Sequence, residues 1–321
     1  MCLARNHKPI SSQKETLSMH YLTYLIFRAA VALTRPVPFW VLHRLSDGIF
    51  YLLYYGLRYR LRVVRGNITS TLTDLTTGEQ RRVERRFYRH FCDLLLESLK
   101  GLNMTEAQLM ARFEIETDLL QHYSYEGKSI IAVLGHMGNW EWGALSIGLS
   151  SSTDILAVYK PIQNRYIDRW IKSRRHGAGI TLIPMRHASR AVIQRRDTPT
   201  FFGLVADQRP TGGKPAYVVD FLGRKTAAFI GAERLAMGLQ YPMVYATIYK
   251  KGRSRYALRA QEIQEPPHEL PPGELTQRYF RMLEASIREQ PHCWLWTHKR
   301  WKGIDERLAQ RSVDGVYSNR H

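Results

Sequence analysis

One histidine and one glutamate follow an apolar run closely enough to share a proton-transfer site. His136 comes directly after Gly135, and Glu141 stands five positions further along. An imidazole is well matched to taking a proton from a hydroxyl group near neutral pH. A carboxylate within reach can hold the imidazole in one tautomer and stabilise the imidazolium that forms. We therefore predict that His136 is a general base oriented by Glu141; the alternative is a core histidine next to an exposed helix residue.

The residues around this pair predict a strand, a tight turn and a helix. The run Ile130–Leu134 is apolar, partly β-branched and bounded by Gly135, which is typical of a buried strand. Asn139 is a suitable N-cap for a helix that begins directly after it. His136 would then lie at the carboxyl end of a strand, where open α/β sheets bind their ligands.

Strand-like and helix-like segments alternate from residue 129 onward. The predicted strands are Ile130–Leu134, Ile155–Tyr159, Ile180–Ile183, Phe201–Ala206, Tyr217–Leu222, Met243–Tyr249 and Tyr256–Ala260, the last two joined as a hairpin. Further predicted helices lie around Tyr166–Arg175, Ala188–Arg195, Gly231–Gly238 and Glu274–Glu289. Upstream, a capping box at Thr77–Gln80 predicts a helix that ends near Lys100. The pattern predicts an α/β fold in which a mainly parallel mixed sheet is flanked by helices.

The chain is strongly basic, with 47 Lys and Arg residues against 28 Asp and Glu residues and a formal net charge of +19. Such a charge favours anionic partners: nucleic acid, anionic membranes, or acidic substrates and carriers. Nucleic acid is not expected, because the sequence has no zinc-finger spacing and no aromatic ribonucleoprotein motif. The histidines show no HExxH or paired metal-binding spacing, so no metal site is predicted. Three widely spaced cysteines fit a reducing compartment.

The segment 19–65 is rich in apolar and aromatic residues and predicts a membrane-associating helical segment. Charged residues interrupt both of its halves, so neither is a clean span of about 20 uncharged residues. Its aromatic run is followed at once by arginines, and aromatic rings beside arginines suit the headgroup layer of a membrane. Packing of this segment on the protein's own core is the alternative. We expect a variable basic tail at 1–18, this segment at 19–65, a catalytic domain at 66–305 and a C-terminal tail at 306–321.

The stretch Gly135–Ala144, GHMGNWEWGA, resembles the H-x-x-x-x-D/E block of glycerolipid and lipid A acyltransferases. Its G-H-x-G-N-W-E form resembles the late lipid A acyltransferases, which add secondary acyl chains to lipopolysaccharide precursors. Further blocks resemble those of this family and occur in the same order across roughly residues 57–302. The last of them is Trp294–Trp301, which is similar to the family's W-x-W-x-H-x-R-W/F.

The resemblance implies substrate-binding residues beyond the pair of His136 and Glu141. A second block resembles the family's Y-R/K-P-x-x-N-x-x-x-D segment with the arginines after it, and a third resembles its A-D-Q/H segment. The implied substrate-binding residues are Asn139, Lys160, Asn164, Asp168, Arg174, Arg175, Asp207 and Gln208. Arginines suit phosphate groups, whereas Lys160 stands where many relatives carry arginine and would lack the bidentate contact. Purely structural roles are the alternative for the two arginines, Asp168 and Asp207.

The resemblance also implies a reaction and its partners. The protein would be a membrane-associated O-acyltransferase that moves a fatty acyl chain from an acyl carrier protein thioester to a hydroxyl of a lipid A precursor. No cofactor is expected, and the tetrahedral oxyanion would be met by backbone amides near Gly135–Asn139 or by a nearby arginine. The expected location is the cytoplasmic face of the bacterial inner membrane, as a peripheral or single-pass protein. The alternatives are another lipid acceptor, such as a lysophospholipid or an acylated amino-acid lipid, and a non-catalytic protein that binds membranes or polyanions.

Overall fold

The computed structural model describes residues 10–116, 118–210, 216–266 and 268–302, with side chains from residue 18 onward. The predicted tail at 306–321 and residues 1–9 lie outside these ranges. Residues 10–18, expected to belong to a variable tail, instead form the start of the first helix, Ile10–Thr34. The sequence contains no glycine or proline between Pro9 and Pro36, so no residue in that stretch interrupts a helix.

Seven strands form one sheet and two form a separate hairpin in the described part of the chain. In chain order the strands are β1 Phe113–Ile115, β2 Ile130–Leu134, β3 Asp154–Tyr159, β4 Ile180–Pro184, β5 Thr200–Val205, β6 Ala216–Phe221, β7 Arg224–Phe229, β8 Met243–Gly252 and β9 Arg255–Gln264. The large sheet has the order β1-β9-β8-β2-β5-β3-β4, and β6 pairs with β7. Every pairing in the large sheet is parallel except that of β8 with β9. The predicted mainly parallel mixed sheet is confirmed.

Helices cover both faces of this sheet. They are α1 Ile10–Thr34, α2 Phe39–Tyr51, α3 Leu61–Thr71, α4 Thr77–Gly101, α5 Glu106–Met110, α6 Asp118–Tyr125, α7 Trp140–Ser150, α8 Arg165–His176, α9 Ala188–Gln194, α10 Gly231–Leu239 and α11 Glu274–Glu289. The capping box of α4 is formed by Thr76 and Glu79, one residue before the predicted position. Residues Leu52–Gly56 continue α2 as a π-helical turn.

The central strand β2 is buried on both faces, as expected for a parallel sheet between helices. Ile131 and Val133 belong to the core under α4 and α11, and the neighbouring Ile130 belongs to the core under α7. The end of β2 is therefore held from both sides, and the residues that follow it have a defined position.

The N-terminal helices pack on the rest of the protein. Helix α1 contacts α8 through aromatic pairs, with ring centroids 5.7 Å apart for Phe27 and Trp170 and 5.3 Å apart for Tyr21 and Tyr166. None of the helices in the described ranges is both long enough and apolar enough to cross a membrane.

Helix α4 carries buried charged residues that bind these N-terminal elements. Glu84 accepts hydrogen bonds from Tyr54 at 2.8 Å and from Arg65 at 2.9 and 3.0 Å. Near the other end of α4, the ammonium of Lys100 donates to the carbonyls of Thr34, Arg35 and Val37 at 2.8, 3.0 and 2.8 Å. The cation thus satisfies carbonyls that the end of α1 leaves without helical partners.

We predict that Lys100→Met lowers the free energy of unfolding by about 2 kcal/mol, because several buried carbonyls lose a charged donor. Denaturant unfolding measures the change, and proteolysis near residues 34–38 should become faster. The exposed Lys225, which pairs with Asp220 at the surface, is a suitable control. Lys225→Met should change stability by less than about 1 kcal/mol. Equal effects of the two variants would contradict the anchoring role of Lys100.

Candidate active site

The turn after β2 places His136 in a tight loop that depends on two glycines. A Cβ atom at Gly135 would lie 2.5 Å from a methyl carbon of Leu283. Gly138 has a φ of +56°, and a Cβ atom there would lie 2.6 Å from the carbonyl oxygen of Ile248. Both glycines therefore allow a backbone path that a larger residue would block. The His136 side chain is 18% exposed, which leaves it accessible from one side.

The imidazole of His136 is bound to Asp207, which follows the adjacent parallel strand β5. Nδ1 of His136 lies 2.6 Å from Oδ1 of Asp207. The other carboxylate oxygen accepts the backbone N–H of His136 at 2.9 Å and the indole N–H of Trp294 at 2.8 Å. A proton on Nδ1 leaves Nε2 as the unprotonated nitrogen, and the Gln208 side-chain nitrogen lies 3.4 Å from it. The geometry thus supplies a histidine base oriented by a carboxylate.

The electrostatics of this pair favour an ionised Asp207. Burial alone would raise the pKa of Asp207, but the charge of His136 and the hydrogen bonds from His136 and Trp294 lower it to about 2. Burial alone would lower the pKa of His136, but attraction to Asp207, their hydrogen bond and the more distant Glu141 raise it above 6.5. The carboxylate therefore makes the imidazole a stronger base.

The predicted orienting contact between Glu141 and His136 is wrong. Glu141 lies in the first turn of α7, and its carboxylate forms an ion pair with Arg175 near the end of α8. The position next to Nδ1 is occupied by Asp207, because β5 runs beside β2 and both strands end at the same edge of the sheet. Glu141 acts on His136 only through space, by raising its pKa.

The predicted N-cap role of Asn139 is confirmed, and its side chain is fully buried. Its carbonyl oxygen accepts the backbone N–H of Trp142 at 3.0 Å, and its amide nitrogen donates to Glu97 at 2.9 Å. Glu97 also accepts hydrogen bonds from Ser254 at 2.7 Å and Tyr256 at 2.8 Å. The contacts of Asn139 position the catalytic loop and leave no exposed atom for a substrate.

The second predicted block lies at the start of α8, and its polar residues mainly hold the chain in place. Asn164 caps α8 and donates to the carbonyl of His20 at 2.7 Å. Asp168 accepts the backbone N–H of Ile162 at 2.9 Å and pairs with Lys172 at 3.0 Å. Lys160 is exposed in the loop before the helix.

The two predicted arginines have different environments. Arg174 is exposed and donates to the carbonyl of Leu102 at 2.7 Å. Arg175 is only 16% exposed and binds Glu141, which connects it to the surroundings of His136. The structure therefore brings His136, Asp207 and Gln208 into contact, with Glu141 and Arg175 as a second pair nearby.

Two residues of the site come from the C-terminal segment and were not predicted as site residues. Trp294 holds Asp207, and His298 accepts the backbone N–H of Arg209 at 3.3 Å. Burial and the charge of Arg300 lower the pKa of His298 to about 4, so that it is neutral near pH 7. The sequence signal for these two residues is the spacing of Trp294, Trp296 and His298. That spacing carries no information on which strand end this segment contacts.

Across the described ranges, no cluster of three or more His, Cys, Asp or Glu side chains is arranged to bind a metal ion.

Comparison with known families places the chain in one of them. The family model for bacterial lipid A biosynthesis acyltransferases matches residues 10–303. The chain belongs to this family. No curated protein matches it significantly. The match includes β2, the loop with His136, the Asp207 strand end and the Trp294 segment.

We predict that Asp207→Asn lowers the pKa of His136, because the substitution removes the charge that raises it. NMR titration of labelled histidine in the full chain measures this pKa. In the unsubstituted protein, the value should lie above 6.5, and His136 should lose its proton only as the pH rises through that value. Glu141→Gln is the control and should cause a smaller decrease, since Glu141 makes no contact with the ring. A larger effect of Glu141→Gln would contradict the assignment of Asp207 as the partner.

Proposed function

We propose that this family member transfers a fatty acyl chain from an acyl carrier protein thioester to a hydroxyl of a lipid A precursor. The observation that supports this proposal most directly is the His136–Asp207 pair at the carboxyl end of β2. It supplies a base for a hydroxyl group, and the family supplies the acyltransferase class.

In the proposed reaction, Nε2 of His136 takes the proton of the acceptor hydroxyl as the oxygen attacks the thioester carbon. The carbonyl π electrons move to oxygen and form a tetrahedral oxyanion. When the oxyanion collapses, the carbon–sulfur bond breaks, and the imidazolium returns its proton to the leaving sulfur. The products are an ester and the free thiol of the carrier. Asp207 stabilises the imidazolium between these steps.

Three consecutive backbone amides of the turn already have partners within the protein. The N–H of His136 is bound to Asp207, that of Met137 to the carbonyl of Gly135 at 2.8 Å, and that of Gly138 to the carbonyl of Cys293 at 3.0 Å. This leaves an arginine as the better candidate for the oxyanion. We assign that role to Arg175, held by Glu141, because a guanidinium has further N–H donors beyond those that bind one carboxylate.

The transfer assay separates this function from its alternatives. We expect His136→Ala to reduce acyl transfer by about 10²–10⁴-fold, the usual contribution of general-base catalysis. Labelled acyl carrier protein is the donor, and lipid A precursor and lysophospholipid are compared as acceptors. The exposed His122 offers the control His122→Ala, which should transfer at the normal rate. A normal rate for His136→Ala would refute the mechanism, and preference for lysophospholipid would refute the acceptor.

The two adjacent arginines provide a matched pair for testing the oxyanion role. We expect Arg175→Gln to lower kcat by about 10²-fold, since loss of one oxyanion donor costs about 10²–10³-fold. Arg174→Gln removes the same charge one residue away and should leave kcat nearly unchanged. Similar kcat values for both variants, with a raised KM, would mean that the arginines only attract the anionic substrates.

We also propose that the protein attaches peripherally to the cytoplasmic face of the inner membrane through the N-terminal helices. One face of α2 and the turn after it exposes the large apolar side chains of Trp40, Tyr51, Leu52 and Tyr55. The exposed Arg44 lies on the same face, and Arg58, Arg60 and Arg62 follow. Apolar rings flanked by arginines fit an anionic lipid surface.

We predict that replacing Trp40 and Leu52 together with glutamate weakens sedimentation with anionic vesicles. Two apolar contacts are lost, and two negative charges are repelled by the surface. The exposed apolar residues Tyr125 and Ile193 lie elsewhere on the protein and serve as the control pair. Their replacement by glutamate should leave sedimentation nearly unchanged. Equal losses in both double variants would show that total charge, rather than this face, determines binding.

A further inference from the structure

A basic cleft lies behind the catalytic loop, between α2, α4, the turn of the β8–β9 hairpin and residues 289–292. Its volume is about 600 Å³, and it shares no residue with the contacts of His136. Five cationic side chains line it against the three carboxylates of Asp47, Asp93 and Glu289. Arg253 pairs with Asp47 at 2.8 Å and with Asp93 at 2.7 Å, and Lys251 pairs with Glu114 outside the cleft, so these two cations already have carboxylate partners.

The other three cations of the cleft, Arg86, Arg89 and Lys250, have incomplete partners. Within the described ranges, neither Arg86 nor Arg89 forms an ion pair with a carboxylate. Arg86 lies 3.3 Å from the ring nitrogen Nε2 of His292, and the guanidinium of Arg89 lies 5.1 Å from the ring centre of Phe50. The Lys250 ammonium makes only long contacts, at 3.4 Å to Asp93 and 3.4 Å to His90. The cleft therefore has unused cationic donors.

The pKa values of two histidines in the cleft are lowered by the same positive charges. Burial and the Lys250 ammonium lower the pKa of His90 well below 6.5. Burial, Arg86 and Lys250 lower the pKa of His292 to about 4. Besides burial, the cations of the cleft lower the pKa of both imidazoles, in agreement with the incompletely paired positive charge.

We propose that this cleft binds the phosphate group of a phosphorylated ligand. Two guanidiniums one helical turn apart and an ammonium line the same cleft, and a phosphate has three acceptor oxygens for their N–H donors. The site does not depend on the proposed acyl transfer. Its wall is connected to the catalytic loop, because the residue after His292 accepts the N–H of Gly138 at 3.0 Å and Trp294 holds Asp207.

The experiment is calorimetric titration of the full chain with inorganic phosphate at constant ionic strength. Arg86→Gln with Arg89→Gln should weaken binding by at least about ten-fold, since charge-assisted hydrogen bonds are lost. The control is Arg82→Gln with Arg85→Gln, which removes the same charge from exposed positions of α4 outside the cleft. This control should bind phosphate as the unsubstituted protein does. Equal binding by the two double variants, or no binding by the unsubstituted protein, would overturn the proposal.

A second measurement needs no substitution. In an NMR titration, saturating phosphate should raise the pKa of His292 above its value of about 4, because the anion opposes Arg86 and Lys250, which lower this pKa together with burial. An unchanged pKa would also overturn the proposal.

The source of the phosphate is identified by comparing ligands that share this group. Soluble short-chain phosphatidic acid represents a lipid headgroup, and pantetheine phosphate represents the arm of a carrier protein. A ligand that binds at least ten-fold tighter than inorganic phosphate, and loses this advantage in the Arg86 and Arg89 variant, is the source. Equal affinities for all three indicate free phosphate. A carrier protein that lacks its phosphate arm is the last ligand. If its binding depends on Arg86 and Arg89 and phosphate has no effect on it, the cleft is a carboxylate-binding surface, and the proposal is contradicted.

Discussion

The buried carboxylate of Asp207 is the constraint on which the site depends. A carboxylate that is 2% exposed is stable only when donors surround it, because an unpaired buried charge is very costly. Here the donors come from the end of β2 and from the C-terminal segment, whereas the carboxylate itself follows β5. One ionised group therefore joins three distant parts of the chain, and the hydrogen bonds that satisfy it orient the imidazole of His136 at the same time.

Helix α4 supports this arrangement from within the protein. Its buried Glu97 accepts a hydrogen bond from Asn139, which caps α7 three residues after His136. The same helix holds the N-terminal elements through Glu84 and Lys100. The proposed membrane-facing helices and the catalytic loop are thus attached to one rigid element. This connection gives a physical reason for the site to keep a defined orientation relative to a membrane surface.

Much of the fold could be predicted from local sequence patterns. The run Ile130–Leu134 forms a strand with the predicted bounds, Asn139 caps the next helix, and Glu274–Glu289 is the last helix. The errors lie where local signals compete. The capping box of α4 begins at Thr76 because two adjacent threonines both had a suitable acceptor three residues later. Strand β7 was missed, since Arg224–Phe229 has a weak apolar pattern and exists through pairing with β6.

The sequence by itself determined that a histidine follows a buried strand, and its motifs pointed to the acyltransferase family that the family match then showed. Only the tertiary structure decided which carboxylate contacts that histidine. Glu141 is five residues away in sequence but is paired with Arg175, whereas Asp207 is 71 residues away and touches the imidazole. Sequence patterns describe faces of single strands and helices, but the order of strands in the sheet depends on how all those faces pack together. Because β5 adjoins β2, the ends of these two strands, and the charges they carry, meet.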